Sequence, residues 1–133
     1  MAVKGPYHHV DLLSQDPRAT ARWYVQNLGG RTSQEAHVRG SVRVRLHLGD
    51  AQLNIRAPRL GDTLITPKKG KFVGIDHFAL SADELDGMIS KLEKNGVKIV
   101  EPIFTTPNGG RAFFIEGPDQ VLIEIIEIPS TQD

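Results

Sequence analysis

No cysteine occurs in the 133 residues. This excludes a disulfide framework, a thiolate zinc site and a thiol nucleophile, and leaves His, Asp, Glu and Gln as the side chains able to hold a metal. Net charge is also lacking: sixteen Lys and Arg offset sixteen Asp and Glu. Nothing global therefore draws the chain to nucleic acid or to an anionic membrane, and any charge preference must be local. Long apolar runs are missing too. Stretches such as Val121–Ile123 fall far short of the roughly 20 residues that span a bilayer. Met1–Pro6 has no signal-peptide character, so the expectation is a soluble, cytoplasmic protein. The length suits a single domain, enough to bury roughly two-thirds of the surface exposed by the unfolded chain.

What the sequence does contain is a repeat. Tyr7-His8-His9-Val10-Asp11-Leu12 returns in outline as Ile75-Asp76-His77-Phe78-Ala79-Leu80, each a strand-like run with a histidine at the same place. A helix signal follows each run. In the first copy Asp16-Pro17 offers an N-cap and a first-turn proline, Trp23, Tyr24 and Leu28 have helical spacing, and Gly29-Gly30 ends the helix. In the second, Ser81 or Asp83 can cap, Leu85, Met88, Ile89 and Leu92 form an apolar stripe, and Gly96 closes it. Strands come next. Val42, Val44, Leu46 and Leu48 alternate with Arg43, Arg45 and His47, and Gly49-Asp50 turns the chain into Gln52–Arg56. In the second copy Arg111–Ile115 reaches Gly117-Pro118-Asp119 and turns into Val121–Ile128.

The copies keep register. His9 and Asn54 are 45 residues apart, His77 and Glu124 are 47 apart, and a longer second hairpin turn would absorb the difference. The expected unit is β-α-β-β-β, occurring at about 7–57 and about 74–128. An exposed connection at about 58–73 carries the basic run Lys68-Lys69-Gly70-Lys71.

Strand parity sorts the faces. If Val42, Val44, Leu46 and Leu48 pack under a helix, Arg43, Arg45 and His47 point away from it. With Leu53 and Ile55 buried, Gln52, Asn54 and Arg56 share that polar face. On the last strand Val121, Ile123 and Ile125 fit the helix side, which puts Glu124 on the other side between Leu122 and Ile126. A carboxylate flanked by apolar neighbours needs a cation. Arg111 is one candidate partner, and a metal is the other. Two histidines at equivalent repeat positions, with a glutamate whose counterpart is a ligand-capable residue, favour the metal.

The order His-Val, Leu-Gly-Gly, Gly-Ile-Asp-His-Phe-Ala-Leu and Gly-Pro-Asp-Gln-Val-Leu-Ile-Glu-Ile resembles the vicinal oxygen chelate superfamily of glyoxalases, bleomycin-resistance proteins and dioxygenases, across about residues 7 to 128. That resemblance implies an α+β fold in which two tandem β-α-β-β-β modules form a cupped, partly open mixed β-sheet barrel with helices outside. It also implies a divalent metal (Zn, Ni, Mn, Co or Fe) held by His9, His77 and Glu124, with Asn54 or its face-neighbour Gln52 in fourth place. Glu124 would double as the catalytic carboxylate, and His8, pointing the other way from His9, would be a structural or surface residue. Glyoxalase I enzymes have a glutamate in the fourth place, so the three-ligand members, the extradiol dioxygenases and fosfomycin-modifying transferases, match better.

Arg43, Arg45, His47 and Arg56, together with Arg111 and Phe113, are the expected substrate contacts. They imply a small anionic substrate, although packing is the ordinary role of Phe113 and Trp23. The resulting expectation is a metal-dependent enzyme of isomerase, lyase or dioxygenase type, a homodimer with no nucleic-acid or membrane partner. The alternatives are a metal-free bleomycin-resistance-type binding protein and a fosfomycin-type transferase.

Overall fold

The computed structural model describes residues 1–65 and 70–128. Among them the elements run β1 (Val10–Leu13), α1 (Pro17–Leu28), β2 (Arg31–Val38), β3 (Ser41–Leu48), β4 (Ala51–Arg56), β5 (Phe78–Ala82), α2 (Leu85–Lys94), β6 (Lys98–Thr105), β7 (Arg111–Glu116) and β8 (Leu122–Glu127). The chain divides into two compact units, Met1–Leu64 and Ile65–Asp133. Each contains one β-α-β-β-β module, so the expected α+β class and tandem repeat are observed. The connecting residues 57–65 and 70–77 form no strand or helix, while Lys68 and Lys69 of the basic run lie outside the described residues.

Both units have the same sheet. Strand order is β1-β4-β3-β2 in the first and β5-β8-β7-β6 in the second. The first strand of each module lies parallel to its last, and the others pair antiparallel. A parallel pair needs a crossover, which α1 begins in the first unit and α2 in the second. The strand after each helix sits at a sheet edge, and both edges are irregular: β2 shifts register between Thr32 and Gln34, and β6 shifts on either side of Glu101 and carries Pro102. Proline is tolerated at an edge because its missing N–H faces no neighbour, and such breaks discourage edge pairing with another chain.

The first helix begins and ends as its sequence predicts. Asp16 accepts a hydrogen bond from the Ala19 N–H, Pro17 fills the first turn, and Gly29 closes the helix at φ 71°. Gly30 is required by closeness. A Cβ there would lie 2.9 Å from Leu48 Cδ2 and 3.1 Å from Leu46 Cδ1. The second helix corrects the expected cap. Its N-cap is Glu84, without a side-chain cap bond, and Ser81 belongs to β5. Gly96 follows at φ 79°.

Each core forms between one helix and the inner face of its own sheet. Val44, Leu46, Leu48, Leu53 and Ile55 are buried with Ala21 and Tyr24 in the first unit, as alternation in β3 and β4 predicts. In the second, Leu85 and Leu92 are buried with Phe113, Ile115, Ile123 and Ile125. Phe113 is completely buried and pairs across the sheet with Ile125. Phe113→Ala should therefore destabilise by about 3–5 kcal/mol, the usual cost of truncating a buried phenylalanine, read as a lower urea midpoint. A loss below about 1 kcal/mol would contradict this burial.

The hairpins account for only half of the repeat's length difference. Arg45 opposes Asn54 nine residues later, and Phe114 opposes Glu124 ten residues later. One extra residue thus lies in the second turn, where Pro118–Gln120 forms a short 3-10 turn. The other falls between His77 and Phe114, so the turn alone does not absorb both.

Candidate functional site

Glu124 and His77 meet on the outer face of the second sheet. Glu124 stands in β8 directly opposite Ala79 of β5 and Phe114 of β7. His77 precedes β5 by one residue and has the parity of Ala79, so its ring reaches the carboxylate. His77 Nε2 lies 3.0 Å from Glu124 Oε1, with the two side chains 30% and 15% exposed. The partner that the Glu124 environment required is thus a histidine.

His77 is held from its other side. Its Nδ1 is 2.8 Å from Asp76 Oδ2, and Lys71 Nζ is 2.9 Å from Asp76 Oδ1. The hydrogen bond to Asp76 raises the His77 pKa above its ordinary value. Partial burial opposes the rise, and Glu124 adds to it. Asp76 is in turn held below the usual carboxylate range by His77 and Lys71. With its Nδ1–H committed to Asp76, the ring turns Nε2 toward Glu124. A carboxylate behind the imidazole is also how proteins fix the tautomer of a metal-ligating histidine. The ring of Phe114 packs edge-on to His77 at 4.9 Å, and Phe104 stacks on Phe114 at 5.9 Å.

Parity in β7 changes two expected contacts. Phe114, not Phe113, shares the Glu124 face, because Phe113 belongs to the helix-side core. Arg111 also lies on the helix side. It donates to Glu127 at 2.8 Å and to Asp86 of α2 at 3.1 Å, and makes no pair with Glu124. The Arg111 guanidinium lowers the Glu127 pKa. A depressed folded-state pKa stabilises above the ordinary glutamate value of 4.5, and this contribution is lost as pH falls through the folded value. Arg111→Met should therefore lower the urea midpoint at about pH 7 but much less at about pH 3, where carboxylates are protonated. An equal loss at both pH values would exclude the ion pair as the cause.

The first unit has a different polar face. Arg45 opposes Asn54, Arg43 opposes Arg56, and His47 opposes Gln52, while Asp11 of β1 lies beside Asn54 on its other flank. Asp11 is 3.5 Å from Arg43 Nη2 and 3.8 Å from Arg56 Nε, and Asp62 is 3.5 Å from Arg56 Nη1. His47 Nε2 is 2.8 Å from Ser33 Oγ in the bulge of β2. Asn54 is 2% exposed. Its Oδ1, the Nε atoms of Arg43 and Arg45, and Gln52 Nε2 are buried without a hydrogen-bond partner among the described residues.

His9 precedes β1 as His77 precedes β5, but its Nδ1 lies 2.7 Å from His8 Nδ1. His8 is therefore not turned away from His9: the two rings are partners. Asp11, Asp76, Phe104 and Phe114 are the face residues that sequence reasoning missed. Asp11 has the parity of His9, and Asp76 occupies the place of His8 in the repeat, so signals existed for both. Of the expected metal ligands, the described residues bring His77 and Glu124 together. Asn54 and Gln52 stand on the arginine-bearing face of the other unit. Among the described residues no group of three His, Asp or Glu side chains is gathered as a metal cluster.

Comparisons with known proteins agree with this architecture. YwkD of Bacillus subtilis (strain 168), an uncharacterized protein, is 29% identical over 123 residues, covering 90% of this chain and 94% of its own. The crystal structure of a glyoxalase family protein from Enterococcus faecalis superposes with a TM-score of 0.76 at 25% identity, covering 92% of this chain and 97% of that one. FosX, the genomically encoded fosfomycin resistance protein of Listeria monocytogenes, shares the fold with a TM-score of 0.72 at 17% identity over 96% of this chain and 97% of its own. The sequence model of the Glyoxalase/Bleomycin resistance protein/Dioxygenase superfamily matches residues 7–125. With nearly the whole chain matched and the tandem β-α-β-β-β modules in place, the protein belongs to the Glyoxalase/Bleomycin resistance protein/Dioxygenase superfamily.

Proposed function

We propose that the protein is a metal-dependent enzyme acting on a small anionic substrate, with Glu124 as both ligand and proton-transfer group. The observation that carries this reading is the His77 Nε2 to Glu124 Oε1 approach of 3.0 Å, backed by Asp76 on Nδ1. An imidazole nitrogen and a carboxylate oxygen facing each other, with the tautomer fixed from behind, suit a divalent transition metal. His77 and Glu124 are the ligands that this proposal takes from the second unit. A bound ion would supply Lewis-acid polarisation of substrate oxygens. Glu124 would then receive a substrate proton on its second oxygen.

The direct test is elemental analysis of protein purified without chelators and reloaded separately with zinc, nickel, manganese, cobalt and iron. One ion per chain is expected. Absence of stoichiometric metal under every loading condition would leave a metal-free binding protein as the better reading.

A further inference from the structure

Arg45 is a partly buried cation with no counter-ion among the described residues. Its Nε is enclosed without a hydrogen-bond partner, and its guanidinium has no ion pair among the described residues. Its neighbours are differently placed: Arg43 is paired to Asp11, and Arg56 to Asp11 and Asp62. Removing a charge from water without a partner is costly, so this position favours an anion. Arg43 Nε and Gln52 Nε2 add two more enclosed donors on the same face. An anion offers acceptors to donors of this kind.

It would not satisfy Asn54. Directly opposite Arg45, Asn54 is 2% exposed and its Oδ1 has no donor among the described residues. An oxyanion can only accept hydrogen bonds, so the group that meets Oδ1 must bring a proton of its own. The same face disfavours a metal at Asn54, since guanidinium groups stand at Arg43, Arg45 and Arg56. The two copies of the repeat thus carry unlike chemistry at equivalent positions.

We infer that the polar face of the first sheet binds a small oxyanion that also carries a hydroxyl group, Arg45 and Arg43 taking the anionic oxygens and Asn54 Oδ1 accepting the hydroxyl proton. This deepens the proposed anionic substrate by adding a required donor, and it rests on that reading only for the face's role in turnover. Binding itself needs no metal. A hydroxycarboxylate and a protonated phosphate present the same chemistry, and separate ligands distinguish them.

The test uses the full chain, metal-free and labelled with ¹⁵N, titrated with lactate, propionate and inorganic phosphate while the Arg Nε–H and Asn side-chain signals are followed. Lactate and propionate differ by one hydroxyl. A hydrogen bond to an otherwise unsatisfied buried acceptor should make lactate bind about tenfold tighter, with the Arg45 and Asn54 signals shifting together. Stronger binding of phosphate than of lactate would assign the site to phosphate esters within the same inference. Arg45→Gln should abolish the response to all three. Asn54→Leu should erase the preference for lactate while keeping weak anion binding, and Asn54→Ser covers the case in which the leucine variant fails to fold.

These titrations use the metal-free protein, so failure of the metal proposal is read separately. Equal affinity for lactate and propionate, or binding that leaves the Arg45 signal in place, would overturn the inference.

Discussion

His77→Ala and Glu124→Gln should each abolish stoichiometric metal retention while leaving the fold intact. Both side chains stand on the outer face of the second sheet, away from the core formed by Phe113, Ile115, Ile123 and Ile125. Their loss removes a ligand without opening a cavity. Asp76→Asn should act more mildly. It keeps the His77 ring but replaces the carboxylate 2.8 Å behind it with a carboxamide, and outer-shell partners of this kind are worth about ten- to a hundredfold in metal affinity. The expected order is therefore His77→Ala and Glu124→Gln most severe, Asp76→Asn intermediate, and Arg111→Met unaffected, since Arg111 faces α2 and Glu127. Competition against a metal-binding dye measures it. Wild-type affinity in Glu124→Gln would remove Glu124 from the ligand set and with it the proposed site.

The second large effect concerns reaction type. Isomerising the methylglyoxal–glutathione adduct requires removal of a carbon-bound proton by a base within hydrogen-bond reach. The residue at the Glu124-equivalent position of the first unit is Asn54, by strand register as well as by spacing. A carboxamide cannot take that proton, which leaves Glu124 as the one carboxylate of the two equivalent positions, already engaged as a metal ligand in the proposed site. General-base catalysis contributes about 10²- to 10⁴-fold, so lactoylglutathione formation by the metal-loaded protein should fall short of a glyoxalase I by about that factor.

Asn54→Glu alone should recover little, because Arg45 stands opposite and would hold the new carboxylate ionised and paired. Asn54→Glu combined with Arg45→Gln should recover more. Efficient lactoylglutathione formation by the unmodified protein, followed by the absorbance of the thioester product, would refute the argument from Asn54.

Much of this architecture is determined by local pattern. The helix boundaries around Asp16, Pro17 and Gly29 follow from capping chemistry, which involves only residues a turn apart. The faces of β3 and β4 follow from strict alternation, so Val44, Leu46, Leu53 and Ile55 are buried as a period of two requires. The repeat aligned His9 with His77 and Asn54 with Glu124 because each module pairs its first strand with its last. Tertiary structure decided the matters on which local pattern is silent. In β7, Ala112, Phe113, Phe114 and Ile115 are apolar in succession and all buried, so no alternation marks which phenylalanine faces Glu124, and pairing with β8 assigns it to Phe114. Arg111 lies at the strand end, where its long side chain can reach either face, and Asp86 on α2 together with Glu127 draws it to the helix side. Asp11, Arg43 and Arg56 come from three strands, and their pairing, which leaves Arg45 without a counter-ion among the described residues, appears only when β1, β4 and β3 lie side by side. Periodicity fixes which way a side chain points, but the partner it meets depends on strand pairing between distant residues, and that pairing sets the charge on each face.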